Sequence, residues 1–379
     1  MPRSSFLIFC LLFFAVSFGV AAMAALVPSV ADYFGIAKEQ ALPLTWLYML
    51  PYGVFALFWA PLTRIIKIKK LLLITTFGFF LSSLFFSFSA NIGQAFIFRF
   101  CMGIFGCSFV PIVLITIGKV VQSSKKAKYI GMFFALSYVS TFVSVFLSGF
   151  FSWRIIYLIP ALLSLVVFIL ITTKLYDFDF RREKFKISYF DTLGDKKAMN
   201  FFIVIMLASF LYHSLQQRLG VYLSDSYSLN QLAISSIFTV ATLFAIVFEF
   251  SGGFLCSRFG NIFMSRIGFI LMSLFSLLLL AVRRYELIFF IIILWSSGWA
   301  LTHVGLSSHL AHFPDKILRD SSSLNSAIRF SFGGLGAFLG GVLVSVVGFK
   351  IFFLIVGLSV LFLGVNLSKI IQERKECYV

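Results

Sequence analysis

The sequence predicts an all-α protein that crosses a lipid bilayer twelve times, and three observations carry that prediction. Sixty per cent of the 379 residues are hydrophobic and only 12% are charged, which is more apolar surface than a water-soluble fold can hide. The apolar residues gather in twelve stretches of about twenty residues, each long enough to span the hydrocarbon layer as a helix. These stretches form two sets of six, related by an offset of roughly 195 residues, the mark of an internal duplication.

The first stretch, 6–27, follows one basic residue, Arg3, and ends in small residues from Ala21 to Ala25. That outline is also seen in secretory leaders, but its apolar length and the membrane stretches behind it favour a retained helix. Stretches 44–63 and 71–90 enclose a basic loop with Arg64, Lys67, Lys69 and Lys70. The fourth, 96–118, holds Arg99 near its start, with Gly103 and Gly106 on the same face at i+4 and i+7, leaving room for a neighbouring helix. The fifth, 130–151, offers Ser137, Ser140, Thr141, Ser144 and Ser148, and 155–174 closes the first set.

A polar insert of mixed charge, 176–198, lies between the two sets and reads as a linker. The seventh stretch, 199–219, places Ser209, His213, Gln216 and Gln217 at i, i+4, i+7 and i+8, a polar stripe on an otherwise apolar helix. The eighth, 232–256, contains Glu249, the only acid deep in any stretch. After 262–282, the tenth stretch, 286–306, carries Trp295, Trp299, Thr302 and His303 at similar spacing. The eleventh, 323–347, holds Arg329 and five glycines (Gly333, Gly334, Gly336, Gly340 and Gly341), and 351–370 completes the set.

Loop signatures support the duplication. The first outer loop, 30–36, and the loop expected at 223–229 share an acid and an aromatic, Asp32-Tyr33 against Asp225-Ser226-Tyr227, at an offset of 193. Trp153-Arg154 and Phe349-Lys350, aromatic-basic pairs heading a helix, are 196 apart.

The net charge of +17 lies in short loops, not on a face that could track nucleic acid, so nucleic acid is not expected as a partner. With the N-terminus inside, 24 of the basic residues fall on the cytoplasmic side, against seven elsewhere: Lys38, Arg99, Arg154, Arg218, Arg283, Arg284 and Lys350. That bias puts both termini in the cytoplasm. The 52 phenylalanines are lipid-facing or packing bulk. The cysteines, Cys10, Cys101, Cys107, Cys256 and Cys377, lack metal-ligand spacing and read as free thiols.

These features, with two local motifs, give the chain a resemblance to the major facilitator superfamily over essentially its whole length. One motif is Arg99-Phe100-Cys101-Met102-Gly103-Ile104-Phe105-Gly106, similar to the family's Arg-and-glycine pattern opening helix 4; the other is Trp153-Arg154 with Tyr157 between helices 5 and 6. The signature loop between helices 2 and 3 is degenerate in the run from Ala60 to Lys70, with Arg64 at its acidic position. In its second copy, from Gly253 to Asn261, Ser257 stands where the family often has an acid. The fifth stretch also lacks the glycine- and proline-rich pattern of antiporters. The resemblance implies two pseudo-symmetric six-helix bundles, 1–175 and 199–379 with a short cytoplasmic tail, joined by the 176–198 linker. It further implies a central cavity lined by helices 1, 4, 7 and 10.

Ionisable residues inside hydrocarbon are costly and need a partner, a wet cavity or a function. Arg99 either meets a substrate anion or reaches the outer headgroups and holds helix ends together. Glu249 and Arg329 lie at similar depth and are expected to pair, either to close the inner side or to couple proton or substrate binding to a conformational change. The stripe of His213, Gln216 and Gln217 and that of Trp295, Trp299 and His303 are expected to line the cavity, against the alternative of packing and hydrogen bonds between helices. His303, His309 and His312 do not share one helix face, so no metal is expected.

No phosphate-binding loop or nucleophile motif is present, so an enzyme is not expected, nor is a cofactor. The expected function is a secondary active or facilitative transporter, a monomer in a bacterial-type inner membrane. It would move a small organic solute by alternating access, with a proton or another ion for coupling. An anion or polar metabolite is preferred, because membrane carboxylates that would meet an organic cation are scarce. A multidrug or metabolite efflux transporter is the alternative, favoured if transport survives neutralising both Arg99 and Arg329. A scaffold or receptor without transport is another, and a lipid-modifying enzyme a third.

Overall fold

The computed structural model describes residues 1–178, 189–313 and 315–371. Part of the linker (179–188) and the C-terminal tail with Cys377 therefore lie outside the described residues. All regular elements among them are helices: α1 (Arg3–Phe34), α2 (Lys38–Ala41), α3 (Pro43–Leu62), α4 (Ile68–Ser87), α5 (Ile92–Gly106), α6 (Phe109–Val120), α7 (Ser123–Leu147) and α8 (Trp153–Lys174). They continue with α9 (Tyr189–Leu193), α10 (Lys196–Gln216), α11 (Leu219–Tyr227), α12 (Gln231–Phe259), α13 (Asn261–Leu278), α14 (Glu286–Leu310) and α15 (Asp315–Ile371).

Among the described residues, eleven spans are long and apolar enough to cross a membrane. The last, Ser323–Ile371, has 49 residues, more than twice what one crossing needs. Its backbone leaves helical geometry at Gly348, with φ 74° and ψ 168°, a conformation open to a residue without a Cβ. The expected stretches 323–347 and 351–370 lie on either side of that residue.

Three spans are each built from two helices, Lys38–Trp59 from α2 and α3 among them. Ile92–Val120 is interrupted at Cys107–Ser108, because Pro111 has no N–H to donate back to the Cys107 carbonyl and its ring crowds the preceding turn. Lys196–Tyr227 is interrupted at Gln217–Arg218. The outer loop expected at 223–229 is accordingly corrected: α11 runs through Tyr227 and ends at Ser228, at φ 52°. Burial of Leu219, Val221 and Leu223 keeps this apolar segment helical.

Packing divides the chain into two compact units, Met1–Ile187 with Gln216–Thr239, and Ser188–Leu215 with Val240–Val379. The repeat-defined halves and the packing-defined units differ over Gln216–Thr239. In the first unit α3 lies against α5 so closely that a Cβ on Gly103 would strike the Tyr48 carbonyl oxygen, as the spacing of Gly103 and Gly106 predicts. Trp59 Nε1 donates to the Ile104 carbonyl across the same seam, at 3.0 Å.

The serines noted in the fifth stretch are satisfied within the protein. Ser137, Ser144 and Ser148 donate to carbonyls three residues back, while Ser140 donates across to Phe14 of α1 at 2.6 Å. Such back-bonding makes hydroxyls tolerable in hydrocarbon. Phenylalanines serve both expected purposes: Phe9, Phe79 and Phe109 are buried, whereas Phe58, Phe77 and Phe88 face outward.

In the second unit α13 and α14 meet through small residues. A Cβ on Gly268 would collide with Thr302 and the Gly298 carbonyl, and one on Gly305 with Ser265. Thr302 thus packs into α13, with Oγ1 directed to the Ser265 carbonyl at 3.4 Å, away from the stripe expected to include it. The glycines of α15 also act by close approach: Gly336 lies on the Phe210 carbonyl and Gly340 on Ser214, which fixes the stretch of α10 that carries Tyr212 and His213.

Candidate functional site

A connected polar and aromatic cluster lies in the second unit, on α10, α12, α14 and α15. Tyr212 stacks on Trp299 with ring centroids 3.9 Å apart and planes 14° from parallel, and on Trp295 at 5.1 Å and 10°. His213 sits edge-on to Tyr212 at 4.9 Å and to Trp299 at 5.8 Å. The edge-on contacts of His213 are among the favourable geometries for π systems. Close packing of α15 on the α10 backbone at Phe210 and Ser214 holds Tyr212 in register with the two tryptophans of α14.

One helical turn beyond Trp299, His303 Nδ1 lies 2.7 Å from Glu249 Oε1. The side chains are 32% and 16% exposed, so the pair is sheltered yet reachable by a proton. With Glu249 ionised the imidazole must present its Nδ1–H to the carboxylate. The pair then carries one negative charge, and a further proton on the imidazole makes it neutral overall.

The expected pairing of Glu249 with Arg329 is corrected by this geometry. Glu249 meets His303, while Arg329 Nε donates to Asn325 Oδ1 at 2.9 Å, one turn back on its own helix. Position along a span is readable from sequence, but rotation about the helix axis is not, and rotation decides the partner. The Arg329 guanidinium lies 5.9 Å from the Trp299 ring centre, a cation–π distance. Arg329, Trp299, Tyr212, His213, His303 and Glu249 therefore form one connected group.

The remaining candidates belong to the first unit. Arg99 is 1% exposed. Its Nε donates to the Leu44 carbonyl at 2.9 Å and one terminal nitrogen to the Gly19 carbonyl at 3.1 Å. Tyr48 and Tyr157 cover its faces at 4.5 and 5.1 Å, and Tyr157 Oη donates to the same Gly19 carbonyl at 2.7 Å. These contacts tie α5 to α1, α3 and α8. Gln217 Nε2 donates to Gln216 Oε1 at 2.6 Å; Gln216 ends α10 and Gln217 lies in the break, so the stripe expected to run through Gln217 stops with the helix.

His309 packs between Phe201 and Phe313. Among the described residues no group of three His, Cys, Asp or Glu side chains is placed to hold a metal ion.

Sequence reasoning did not single out Tyr212, Asn325 or Tyr48. Tyr212 adjoins His213 but lies about 100° around the helix from it. A tyrosine in mid-span, where its hydroxyl needs a partner, was the available signal. Asn325 was signalled by its i, i+4 spacing to Arg329.

The chain matches the family model of the Major Facilitator Superfamily over residues 7–331. Two transporters are among the solved structures that share its fold. A substituted form of the nucleoside transporter NupG superposes with a TM-score of 0.74 at 14% identity, covering 97% of this chain and 100% of that one. A bacterial homologue of the human lysosomal transporter Spinster, in an inward-facing and unoccupied conformation, superposes with a TM-score of 0.74 at 11% identity, covering 98% of this chain and 97% of that one.

Proposed function

The chain belongs to the Major Facilitator Superfamily, and from that premise we propose that it moves a small organic solute across a bacterial inner membrane by alternating access, as a monomer with both termini in the cytoplasm. The repeat-related halves, 1–175 and 199–379, are the moving parts, and 176–198 joins them. A proton gradient drives accumulation, and no nucleotide is hydrolysed. The preferred solute is an organic anion or polar metabolite.

The observation that carries this reading is the Glu249–His303 pair beneath the Trp299–Tyr212 stack, with Arg329 over the same tryptophan. The rings supply flat apolar faces for the body of a solute, and Arg329 supplies a fixed positive charge for an anionic group. The pair supplies a protonatable centre whose charge changes by one on proton uptake. His213 and the Gln216–Gln217 amides contribute hydrogen bonds along the path. Arg99, closed in by carbonyls and rings, holds helices together.

The test is a screen of carboxylates, phosphate esters and neutral metabolites in proteoliposomes, with and without a pH gradient. Saturable uptake of at least one solute, raised several-fold by an imposed gradient and lost when the gradient is collapsed, is the expected result. Failure of every solute class to move in either direction would refute transport.

A further inference from the structure

Three arginines are buried among the described residues, Arg99, Arg218 and Arg329, and they are not equally provided for. Arg99 donates to two carbonyls and Arg329 to Asn325. Arg218 is 8% exposed, its Nε has no acceptor, and no carboxylate lies within ion-pair distance among the described residues. Its one electrostatic neighbour is the exposed Glu39, while Asp225, on the helix it heads, is held by Lys38. A guanidinium is always charged, and leaving one buried without an anion is among the most unfavourable arrangements in a protein.

Its place in the fold sharpens the point. Arg218 stands in the break between α10 and α11, at the head of a nine-residue helix. Two residues on, a Cβ on Gly220 would strike the Ala24 carbonyl of α1. Gln231 binds the next residue of the same turn, its Nε2 donating to the Ala25 carbonyl at 3.1 Å, which leaves its buried Oε1 without a donor. The unsatisfied cationic donor thus heads the helix that packs on the Ala24–Ala25 turn of α1, and the unsatisfied amide acceptor belongs to a side chain bound to that same turn.

We propose that Arg218 and Gln231 form a binding site for a small organic oxyanion that also carries a hydrogen-bond donor, such as a hydroxycarboxylate or a phosphorylated polyol. The anionic group pairs with Arg218, and the hydroxyl donates to Gln231 Oε1. As the substrate class of the protein this rests on the transporter reading; as a binding site it does not.

The test uses the full chain, purified in detergent without phosphate or carboxylate buffers, with thermal unfolding followed at constant ionic strength. The probes are acetate, glycolate, inorganic phosphate, glycerol 3-phosphate and phosphatidylglycerol, each against chloride. The wild type is expected to be stabilised by glycolate more than by acetate, and by glycerol 3-phosphate more than by inorganic phosphate. Arg218→Gln should raise the apparent Kd about tenfold to a hundredfold, the worth of a charge-assisted hydrogen bond. Gln231→Leu should erase the advantage of the hydroxyl-bearing probes while leaving anion binding.

A variant that needs no anion, Arg218→Met, should unfold at a higher temperature than the ligand-free wild type, and Arg218→Lys should retain part of the anion response. Stabilisation by none of the probes, equal stabilisation in Arg218→Gln, or stabilisation by phosphatidylglycerol alone would each overturn the proposal. Binding intact without uptake in proteoliposomes would leave the site standing and remove the transporter reading instead.

Discussion

Glu249 of α12 and His303 of α14 share a hydrogen bond of 2.7 Å between carboxylate and imidazole. Replacing Glu249 by Gln keeps the size of the side chain and removes its charge, so the pair no longer changes from negative to neutral on proton uptake. Glu249→Gln should therefore retain solute exchange between equal pools and lose accumulation driven by a pH gradient. Counterflow and gradient-driven uptake on the same vesicles distinguish the two, and gradient-driven accumulation at the wild-type level would remove Glu249 from coupling.

Arg99→Gln is expected to act on stability. The substitution removes the two charge-assisted hydrogen bonds to the Leu44 and Gly19 carbonyls, each worth about 1.5–3 kcal/mol. Arg99→Lys should rescue little, because an ammonium cannot reproduce the planar contact with Tyr48 and Tyr157. Thermal unfolding in detergent checks both, with Arg283→Gln near wild type. Uptake that falls to background in folded Arg99→Gln would return Arg99 to the transport path.

Tyr212→Ala should weaken solute binding by about 0.5–1.5 kcal/mol beyond lost area, the worth of an aromatic pair, and release Trp299 to new rotamers. Tryptophan fluorescence is the direct readout, since Trp295 and Trp299 both lie against Tyr212. Solute-induced quenching should fall in Tyr212→Ala and persist in Tyr212→Phe.

Gly336→Ala should displace α15 from α10, because the added methyl meets the Phe210 carbonyl. Overpacking of this kind costs about 1–3 kcal/mol. Gly118→Ala, where nothing lies within 4 Å, should be neutral. A lower unfolding temperature for the first and an unchanged one for the second is the expected pair of results.

Lys38 Nζ donates to Asp225 Oδ1 and to Ser224 Oγ, but Asp225 is 39% exposed, so the ion pair is worth no more than about 1 kcal/mol. A double-mutant cycle on Lys38→Ala and Asp225→Ala should return a coupling energy in that range, shrinking as salt is raised. A coupling unaffected by salt would show that the pair is not electrostatic.

The helices were legible because hydrocarbon demands long apolar runs, and the close seam at Gly103 because small residues at helical spacing have few other uses. The interruption at Cys107 was legible in principle from Pro111; the one at Gln217 has no proline and depends on how Gly220 meets Ala24 of α1. The site was legible as a set of residues and not as a set of contacts. Glu249, His303 and Arg329 could all be placed by depth, but which of them meet depends on how α12, α14 and α15 are turned about their axes. Tyr212 was missed for the same reason: its stacking on Trp295 and Trp299 is a property of two helices together.

At Gly348 a single residue leaves helical geometry in a run that is otherwise continuous helix, between the apolar stretches 323–347 and 351–370. Only Gly348, Phe349 and Lys350 lie between them, so a tag or protease site inserted at that point has no ready-made loop to occupy, and movement of either stretch is passed to the other through three residues.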